Sequence, residues 1–195
     1  DYNAHMFIFK KKYFLIIESI KDIQLINLNK PYKVVIIYRN KKLQDTIPDI
    51  FNFSMFCKTK RIKLFIANDI LLCKTVKADG VYISATNFNL KYACCKNFNL
   101  EVIGSAHNRK EILIKKQQGC KEVILSRLFQ TSYKYKEGFL GVVRFNLLNA
   151  YYQNKLIPLG GIRLANLNKL KILNSQALVL FSEIKKKPAI IDRLF

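Results

Sequence analysis

The segment Lys33-Val34-Val35-Ile36-Ile37-Tyr38 decides how this chain folds. It is short, rich in β-branched residues and almost continuously apolar. Such a run is typical of a strand in a parallel sheet that is buried on both faces, because a half-exposed strand would alternate apolar and polar residues. Similar runs recur along the chain and predict eight strands: Tyr13–Ile17, Lys33–Tyr38, Lys63–Ile66, Gly80–Ile83, Glu101–Ile103, Glu122–Leu125, Leu156–Leu159 and Ala177–Phe181.

Helix-compatible segments separate these runs. Arg109–Gln118 is one, followed by Gly119 in the position that favours glycine beyond a helix C-terminus, and Leu140–Gln153 is another. This order is typical of a closed (β/α)8 barrel or of an open, flavodoxin-like sheet. Eight units with no linker favour closure, so we predict an α/β fold, a single-domain (β/α)8 TIM barrel over residues 1–195. Because about 200 residues is the lower limit for this fold, the barrel must be short and compact.

The bulk composition limits the class of protein. The chain has 195 residues, of which 50% are hydrophobic, but its apolar runs are far shorter than the roughly 20 residues of a membrane span. No export signal is visible, so a cytoplasmic location without membrane contact is expected. We interpret Met6 as a native start and leave residues 1–5 out of the fold reasoning.

The five cysteines are odd in number and lack metal-ligand spacing. We interpret them as reduced core thiols, and a redox pair formed by Cys94 and Cys95 is the alternative. The net charge of +21 raises the possibility of a nucleic-acid partner. However, the lysines are scattered, and the abundance of Lys, Asn, Ile, Phe and Tyr indicates a compositional bias, so nucleic acid remains a minor alternative.

Polar residues follow the predicted strands, and barrel active sites lie at the carboxyl ends of strands. Arg39 and Lys41 share one side of an extended segment, which lets both cations face one anion such as a diphosphate. A pair of ordinary surface cations is the alternative. After the seventh strand, Gly160 and Gly161 let the backbone approach a phosphate, and Ser182 follows the eighth strand with a hydroxyl donor. A bare Gly-Gly pair is otherwise only a turn signal.

Two further strand ends carry titratable candidates. His107 can shuttle a proton near neutral pH, or it can be a helix-start residue bonded to nearby backbone. Asp69 can bind Mg²⁺ together with water and phosphate oxygens. It can also be the N-cap of a helix over Ile70–Val76, and both roles can coexist.

The ordered motifs between Lys33 and Ile184 resemble those of the thiamine phosphate synthase/TenI family. Each motif is short, but their order and spacing are specific. They are Tyr38-Arg39-Asn40-Lys41, Ile66-Ala67-Asn68-Asp69, Ala78-Asp79-Gly80-Val81, Gly104-Ser105-Ala106-His107, Phe129-Gln130-Thr131-Ser132-Tyr133-Lys134 and Pro158-Leu159-Gly160-Gly161-Ile162.

The resemblance implies a (β/α)8 barrel that joins hydroxymethylpyrimidine diphosphate to hydroxyethylthiazole phosphate with Mg²⁺, releasing pyrophosphate and forming thiamine phosphate. The implied partners are these small molecules, and a homodimer stays open. The resemblance also assigns residue roles. Diphosphate binding falls to Arg39, Lys41, Asn68 and Lys134; Mg²⁺ binding to Asp69; a pyrimidine contact to Ser105; and the thiazole phosphate to Thr131, Gly161 and Ser182.

Four positions depart from the synthase pattern. Ile37 replaces a glutamine, Asn87 replaces a second Mg²⁺-binding aspartate, Tyr82 replaces a histidine and Tyr133 replaces a phosphate-contacting threonine. TenI-type members share the barrel and isomerise a thiazole carboxylate phosphate with a histidine at the position of His107. We therefore expect a synthase-like transferase, with a TenI-like tautomerase or a catalytically silent phosphate-binding relative as alternatives.

Overall fold

Eight parallel strands close into one barrel, in which each strand pairs with the next and the eighth pairs with the first. The computed structural model describes residues 11–22, 31–40, 44–131, 138–153 and 155–180. The closed barrel confirms the predicted TIM barrel over the open sheet. Its strands are β1 (Lys12–Ile17), β2 (Val34–Tyr38), β3 (Lys63–Ala67), β4 (Gly80–Ile83), β5 (Glu101–Ala106), β6 (Glu122–Ser126), β7 (Leu156–Leu159) and β8 (Ala177–Leu180).

The strands are apolar on both faces because each face is buried against a different layer. Alternate side chains, among them Ile37, Phe65 and Tyr82, fill the barrel interior as one cluster. The intervening side chains pack outward against the helices in a second, larger cluster. This two-sided burial explains why the runs are continuous and do not alternate.

Gly80 shows how tightly the interior is packed. A Cβ at this position would lie 2.6 Å from the Phe65 ring and 2.2 Å from the carbonyl oxygen of Glu101. Only glycine leaves room for the aromatic ring between β3 and β4.

Four α-helices lie outside the barrel in the described part of the chain: α1 (Ile47–Thr59), α2 (Ile70–Thr75), α3 (Arg109–Gln117) and α4 (Gly141–Tyr151). The start of α1 is specified locally, because Thr46 and Asp49 form a capping box around Pro48. In addition, 3-10 helices cover Ile20–Asp22, Pro31–Lys33, Leu90–Phe98 and Leu164–Leu170. The last two take the place of full helices after β4 and β7, which is how so short a chain completes the barrel. None of the described helices has the length and apolar character needed to cross a membrane.

Two expectations need correction. The fifth strand continues three residues beyond its predicted end, through Gly104 and Ser105 to Ala106. The prediction of five core thiols was wrong for Cys94, which is exposed, while its neighbour Cys95 is buried and neither is in a disulfide. Both lie in the 3-10 helix Leu90–Phe98, which turns Tyr92 and Cys95 inward and leaves Cys94 outside. The predicted strand residue Phe181 lies outside the described residues.

Candidate functional site

Arg39, Tyr82 and Ser105 form one cluster at the carboxyl end of the barrel. Tyr82 is almost fully buried in the barrel interior, and its hydroxyl donates to Ser105 Oγ at 2.8 Å. Burial raises the pKa of Tyr82, and the hydrogen bond to Ser105 and the nearby positive charge of Arg39 oppose that rise. The phenol is therefore a neutral donor in a polar layer below the barrel mouth. Ile37 is fully buried in the interior, so its side chain supplies packing only.

Asn40 follows Arg39 at the carboxyl end of β2 and adds a side-chain amide to this end of the barrel. Its Oδ1 is buried and has no hydrogen-bond partner in the described part of the structure. A buried acceptor without a partner costs free energy unless a ligand or water completes the bond. Sequence reasoning named Asn40 only as part of a motif and assigned it no role.

Asn68 connects the loop after β3 to the loop after β4. Its φ of 58° is in the left-handed region, which asparagine tolerates better than most residues. Its Oδ1 accepts from Ser84 N at 3.0 Å and from Asn87 Nδ2 at 3.1 Å. Tyr92 fixes the same turn by donating its hydroxyl to the Asn68 carbonyl at 2.8 Å. The Asn68 amide thus holds two loops together, and its predicted contact with a diphosphate stays a prediction.

Asp69 is the N-cap of α2, as the structural alternative predicted. Its Oδ1 accepts from Leu72 N at 2.9 Å, and the helix begins at Ile70. The cap uses one carboxylate oxygen, so the metal-binding alternative is compatible with it.

The fit of Mg²⁺ depends on Asp69 and its neighbours. No group of three or more His, Cys, Asp or Glu side chains suited to a metal occurs among the described residues. Asn87 is committed elsewhere, because its Nδ2 donates to Asn68 and to Tyr92 Oη at 3.0 Å while its Oδ1 accepts from Asn89 N at 3.1 Å. The residues present therefore fit Mg²⁺ only as a one-carboxylate site at Asp69 that water and substrate phosphate would complete.

His107 lies at the end of β5 and is tied to the first turn of α3. Its backbone N–H donates to Glu111 Oε2 at 2.7 Å, and its Nδ1 lies 3.1 Å from the same oxygen. Glu111 also closes a cap with Asn108. His107 therefore lies at the helix start as the alternative predicted, but its ring contacts the Glu111 carboxylate and not nearby backbone, and Nε2 is the ring nitrogen that remains for a ligand.

Gly160 and Gly161 both have positive φ, at 102° and 69°. A Cβ on Gly161 would lie 2.6 Å from the carbonyl oxygens of Phe129 and Gln130. The predicted close approach of this backbone is thus an approach to the loop after β6. Neither glycine N–H donates a hydrogen bond within the described part of the chain. Two adjacent amides of this kind are suited to an anion.

Thr131 and Arg127 lie beside these glycines. Arg127 packs against Gly160, where a Cβ would be 3.3 Å from its Cγ, and its Nη1 donates to Thr131 Oγ1 at 3.5 Å. Sequence reasoning missed Arg127. Its position directly after β6, at the carboxyl end of the barrel, was the signal that could have found it.

A cavity of about 960 Å³ opens between the start of α3 and α4. Its lining combines the cations Arg127 and Arg144 with apolar side chains such as Phe139, and His107 also lines it. His107 and Arg127 therefore line the same cavity, whereas Asn68 and Ser105 do not line it. The predicted site residues Lys41, Lys134 and Ser182, and the variant position Tyr133, lie outside the described residues.

The fold is a (β/α)8 barrel with polar groups at the carboxyl ends of its strands, which is where the active sites of barrel enzymes lie. The family profile described as thiamine monophosphate synthase (TMP-TENI) matches residues 25–184, and the chain belongs to this family.

Two curated thiamine-phosphate synthases from Prochlorococcus marinus are similar to this chain. The protein from strain SARG is 28% identical over 141 residues, which is 70% of this chain, and that from strain AS9601 is 27% identical over 143 residues, 72% of it. The matches cover 40% of the length of each relative.

Solved structures share the fold at low identity. A thiamine phosphate pyrophosphorylase from Pyrococcus furiosus superposes with a TM-score of 0.71 at 13% identity, over 97% of this chain and 94% of that one. The YdjI aldolase from Escherichia coli K12 superposes with a TM-score of 0.65 at 11% identity, covering 98% and 88%. At these identities the likeness concerns the barrel alone.

Proposed function

We propose that the chain is a transferase of the thiamine phosphate synthase type, joining hydroxymethylpyrimidine diphosphate to hydroxyethylthiazole phosphate. One observation carries the proposal. The same end of one barrel offers a cationic, hydroxyl-lined half around Arg39 and Ser105 and, on the other side, a glycine half at Gly160 and Gly161. A reaction between two phosphorylated substrates needs two such anion-binding halves.

The cationic half would stabilise the departing pyrophosphate. Arg39 supplies a permanent positive charge beside the Tyr82–Ser105 pair, and charge placed where negative charge develops lowers the barrier. The predicted partners of Arg39 are Lys41 and Lys134. Mg²⁺ bound through Asp69 would add charge neutralisation on the same oxygens.

The pyrimidine would lie over the polar layer of the interior. Ser105 Oγ accepts a hydrogen bond from the Tyr82 hydroxyl, so the serine's own O–H is available to donate to a ring nitrogen. The Oδ1 of Asn40, which has no partner among the described residues, would accept from a substrate donor on the same side. These two groups would orient the ring, and the fully buried Ile37 would take no part in holding it.

The glycine half would hold the thiazole phosphate. The amides of Gly160 and Gly161 would donate to phosphate oxygens, and the Arg127 side chain packs against Gly160 and donates to Thr131. The thiazole nitrogen is the nucleophile in this arrangement, so binding both substrates at one mouth converts an encounter of two molecules into a local reaction.

The contact between His107 and Glu111 favours the TenI-like isomerase as a second candidate. A carboxylate 3.1 Å from Nδ1 orients the ring and supports proton transfer at Nε2. This function predicts isomerisation of the thiazole carboxylate phosphate without Mg²⁺ and loss of that activity in His107→Ala. An unchanged isomerisation rate in His107→Ala would exclude the role.

A discontinuous assay with both substrates and Mg²⁺ tests the leading proposal. Arg39→Ala should lower kcat/KM by about 100-fold or more if the guanidinium stabilises the leaving group. Lys58→Ala is the matched control, because this exposed cation lies in the last turn of α1, away from the carboxyl ends of the strands. An equal loss of kcat/KM in the two variants would exclude the proposed role of Arg39.

A further inference from the structure

Lys115 is a fully buried lysine in α3 that no part of the proposed chemistry uses. Its aliphatic stem crosses β5 at Gly104. A Cβ on Gly104 would lie 2.8 Å from Lys115 Cδ and 3.1 Å from its Cγ, so the glycine leaves the path that the stem follows. This packing accounts for a glycine inside a buried strand, where it otherwise weakens the sheet.

The ammonium group of Lys115 ends beneath the loop that follows β4. Its Nζ donates to the Asn87 carbonyl at 2.6 Å and to Gln118 Oε1 at 2.9 Å. Gln118 is also fully buried, and its Nε2 donates to the carbonyls of Asn87 and Asn89, both at 2.9 Å. Three hydrogen bonds therefore hold this loop from the outer layer of the barrel, and the bond between Lys115 and Gln118 links the two donors.

Burying the Lys115 ammonium costs free energy, so packing alone does not explain a lysine at this position. Removing an ammonium from water costs several kcal/mol unless hydrogen bonds compensate it, and an apolar side chain would fill the same volume at lower cost. The acceptors of Lys115 are a backbone carbonyl and an amide oxygen, and no described carboxylate forms an ion pair with it. The hydrogen bond from Lys115 instead holds Asn87 in a fixed position.

The side chain of Asn87 connects the loop after β4 to residues at the barrel mouth. Its side-chain amide donates to Asn68 Oδ1 and to Tyr92 Oη, and Tyr92 in turn holds the Asn68 carbonyl. Asn68 precedes Asp69, the N-cap of α2 and the one carboxylate suited to Mg²⁺ on the described part of this side. A continuous line of contacts thus runs from Lys115 through Asn87 to the Asn68–Asp69 turn.

We propose that Lys115 and Gln118 are positioning residues for the Asn68–Asp69 side of the mouth, which on the proposed function is the diphosphate side. Lys115 touches no substrate in this account. It acts by holding Asn87, and through Asn87 the Asn68–Asp69 turn, in the geometry that binds the diphosphate group.

Hydrogen exchange tests the structural part independently of any reaction. In Lys115→Met, which keeps the length of the stem but removes the donors, backbone amides of residues 84–90 should exchange at least about tenfold faster while the barrel strands keep their protection. Lys110→Met is the matched control, because Lys110 is an exposed lysine of the same helix. Wild-type exchange over residues 84–90 in Lys115→Met overturns the proposal.

Binding and kinetics test the functional part. Lys115→Met should weaken the affinity for inorganic pyrophosphate in the presence of Mg²⁺, and raise the KM for the pyrimidine diphosphate, by about tenfold. The KM for the thiazole phosphate should stay within about twofold, because Gly160 and Gly161 are held by a different loop. A purely structural defect would instead change both KM values together, and that result overturns the positioning role.

Gln118→Glu gives a second variant in case Lys115→Met does not fold. Glutamate keeps the volume and the acceptor for Lys115 Nζ but loses both donors to the Asn87 and Asn89 carbonyls. It should show the same faster exchange and the same selective effect, and unchanged exchange in this variant also counts against the proposal. An inactive wild-type protein would refute the proposed reaction, whereas the exchange result would still decide the role of Lys115.

Discussion

The Tyr82 hydroxyl donates to Ser105 Oγ at 2.8 Å across the interior between β4 and β5. Both groups are at least nine-tenths buried, and Arg39 lies close enough for its charge to oppose the rise in the pKa of Tyr82. A polar pair inside an otherwise apolar barrel limits packing freedom and costs desolvation. On the proposed function, this pair presents the Ser105 hydroxyl to a ligand at the mouth.

Tyr82→Phe should raise the KM for the pyrimidine diphosphate about five- to tenfold and change the free energy of unfolding by only ~1 kcal/mol. The substitution keeps the ring and removes only the donor that orients Ser105. Steady-state kinetics and urea unfolding check both values. Tyr151→Phe is the control, since Tyr151 is 79% exposed, and an equal effect in the two variants would contradict the account.

Gly161→Ala should destabilise the protein by about 2–4 kcal/mol and raise the KM for the thiazole phosphate. Alanine is strained at a φ of 69°, and its Cβ would also lie 2.6 Å from two carbonyl oxygens of the loop after β6. Chemical denaturation gives the stability change.

Gly138→Ala separates the effect of positive φ from the effect of the steric clash, which act together in Gly161→Ala. Gly138 has a φ of 78°, but a Cβ there would meet no atom within 4 Å. Its substitution should cost only the conformational term, about 1 kcal/mol. Equal losses of stability at the two glycines would show that the close approach to Phe129 and Gln130 has no energetic importance.

Asp69→Asn should preserve stability and lower the Mg²⁺-dependent rate by about 100-fold. Asparagine caps a helix nearly as well as aspartate, so α2 keeps its N-cap while the carboxylate is lost. Thermal unfolding and activity against Mg²⁺ concentration measure the two roles separately. Asp49→Asn in the capping box of α1 is the control, and Mg²⁺ dependence that is the same in Asp69→Asn as in wild type would exclude Asp69 as the ligand.

Cys94 should react with iodoacetamide at pH 8 far faster than Cys57, Cys73 and Cys120. Cys94 is exposed, whereas burial raises the pKa of the other three thiols to about 12. At pH 8 a thiol of that pKa is only about one part in 10⁴ thiolate, the reactive form. Peptide mass spectrometry after short pulses identifies the labelled residue. Labelling of Cys73 as fast as Cys94 would contradict the packing around α2.

The same thiols set a pH dependence of stability. In the unfolded chain they ionise near pH 9, while in the folded chain they keep their protons to about pH 12. These thiols therefore bind more protons in the folded state between these values, and their contribution to the free energy of unfolding should fall as the pH rises above 9. Urea titrations at pH 8 and pH 10 check the sign, and substitution of Cys57 by alanine should reduce the slope.

The sequence predicted the barrel because its signal is local. Each buried strand appears as a continuous apolar run, and two-sided burial requires this composition. The end of β5 was predicted too early because Gly104 resembles a strand break. Its actual role depends on Lys115, which is distant in sequence and passes over it only in the folded chain.

The positions of the candidate residues at the strand ends were predictable one by one, but the contacts between them were not. Positions after strands pointed to Arg39, Asn68, Asp69 and Gly161, since the fold places all strand ends together. The bonds that Asn87 makes to Asn68 and Tyr92, and the support from Lys115, are tertiary contacts that no spacing encodes. Arg127 directly follows β6 and could have been found from that position, but its contact with Gly160 is visible only in the folded chain.

Product stoichiometry tests the central claim most directly. Phosphorus NMR of the chain incubated with hydroxymethylpyrimidine diphosphate, hydroxyethylthiazole phosphate and Mg²⁺ resolves thiamine phosphate and pyrophosphate as separate products. The proposed reaction predicts that both appear with time in equal amounts, and that neither forms when one substrate is omitted. Unchanged substrate signals at high protein concentration, or pyrophosphate released without thiamine phosphate, would contradict it.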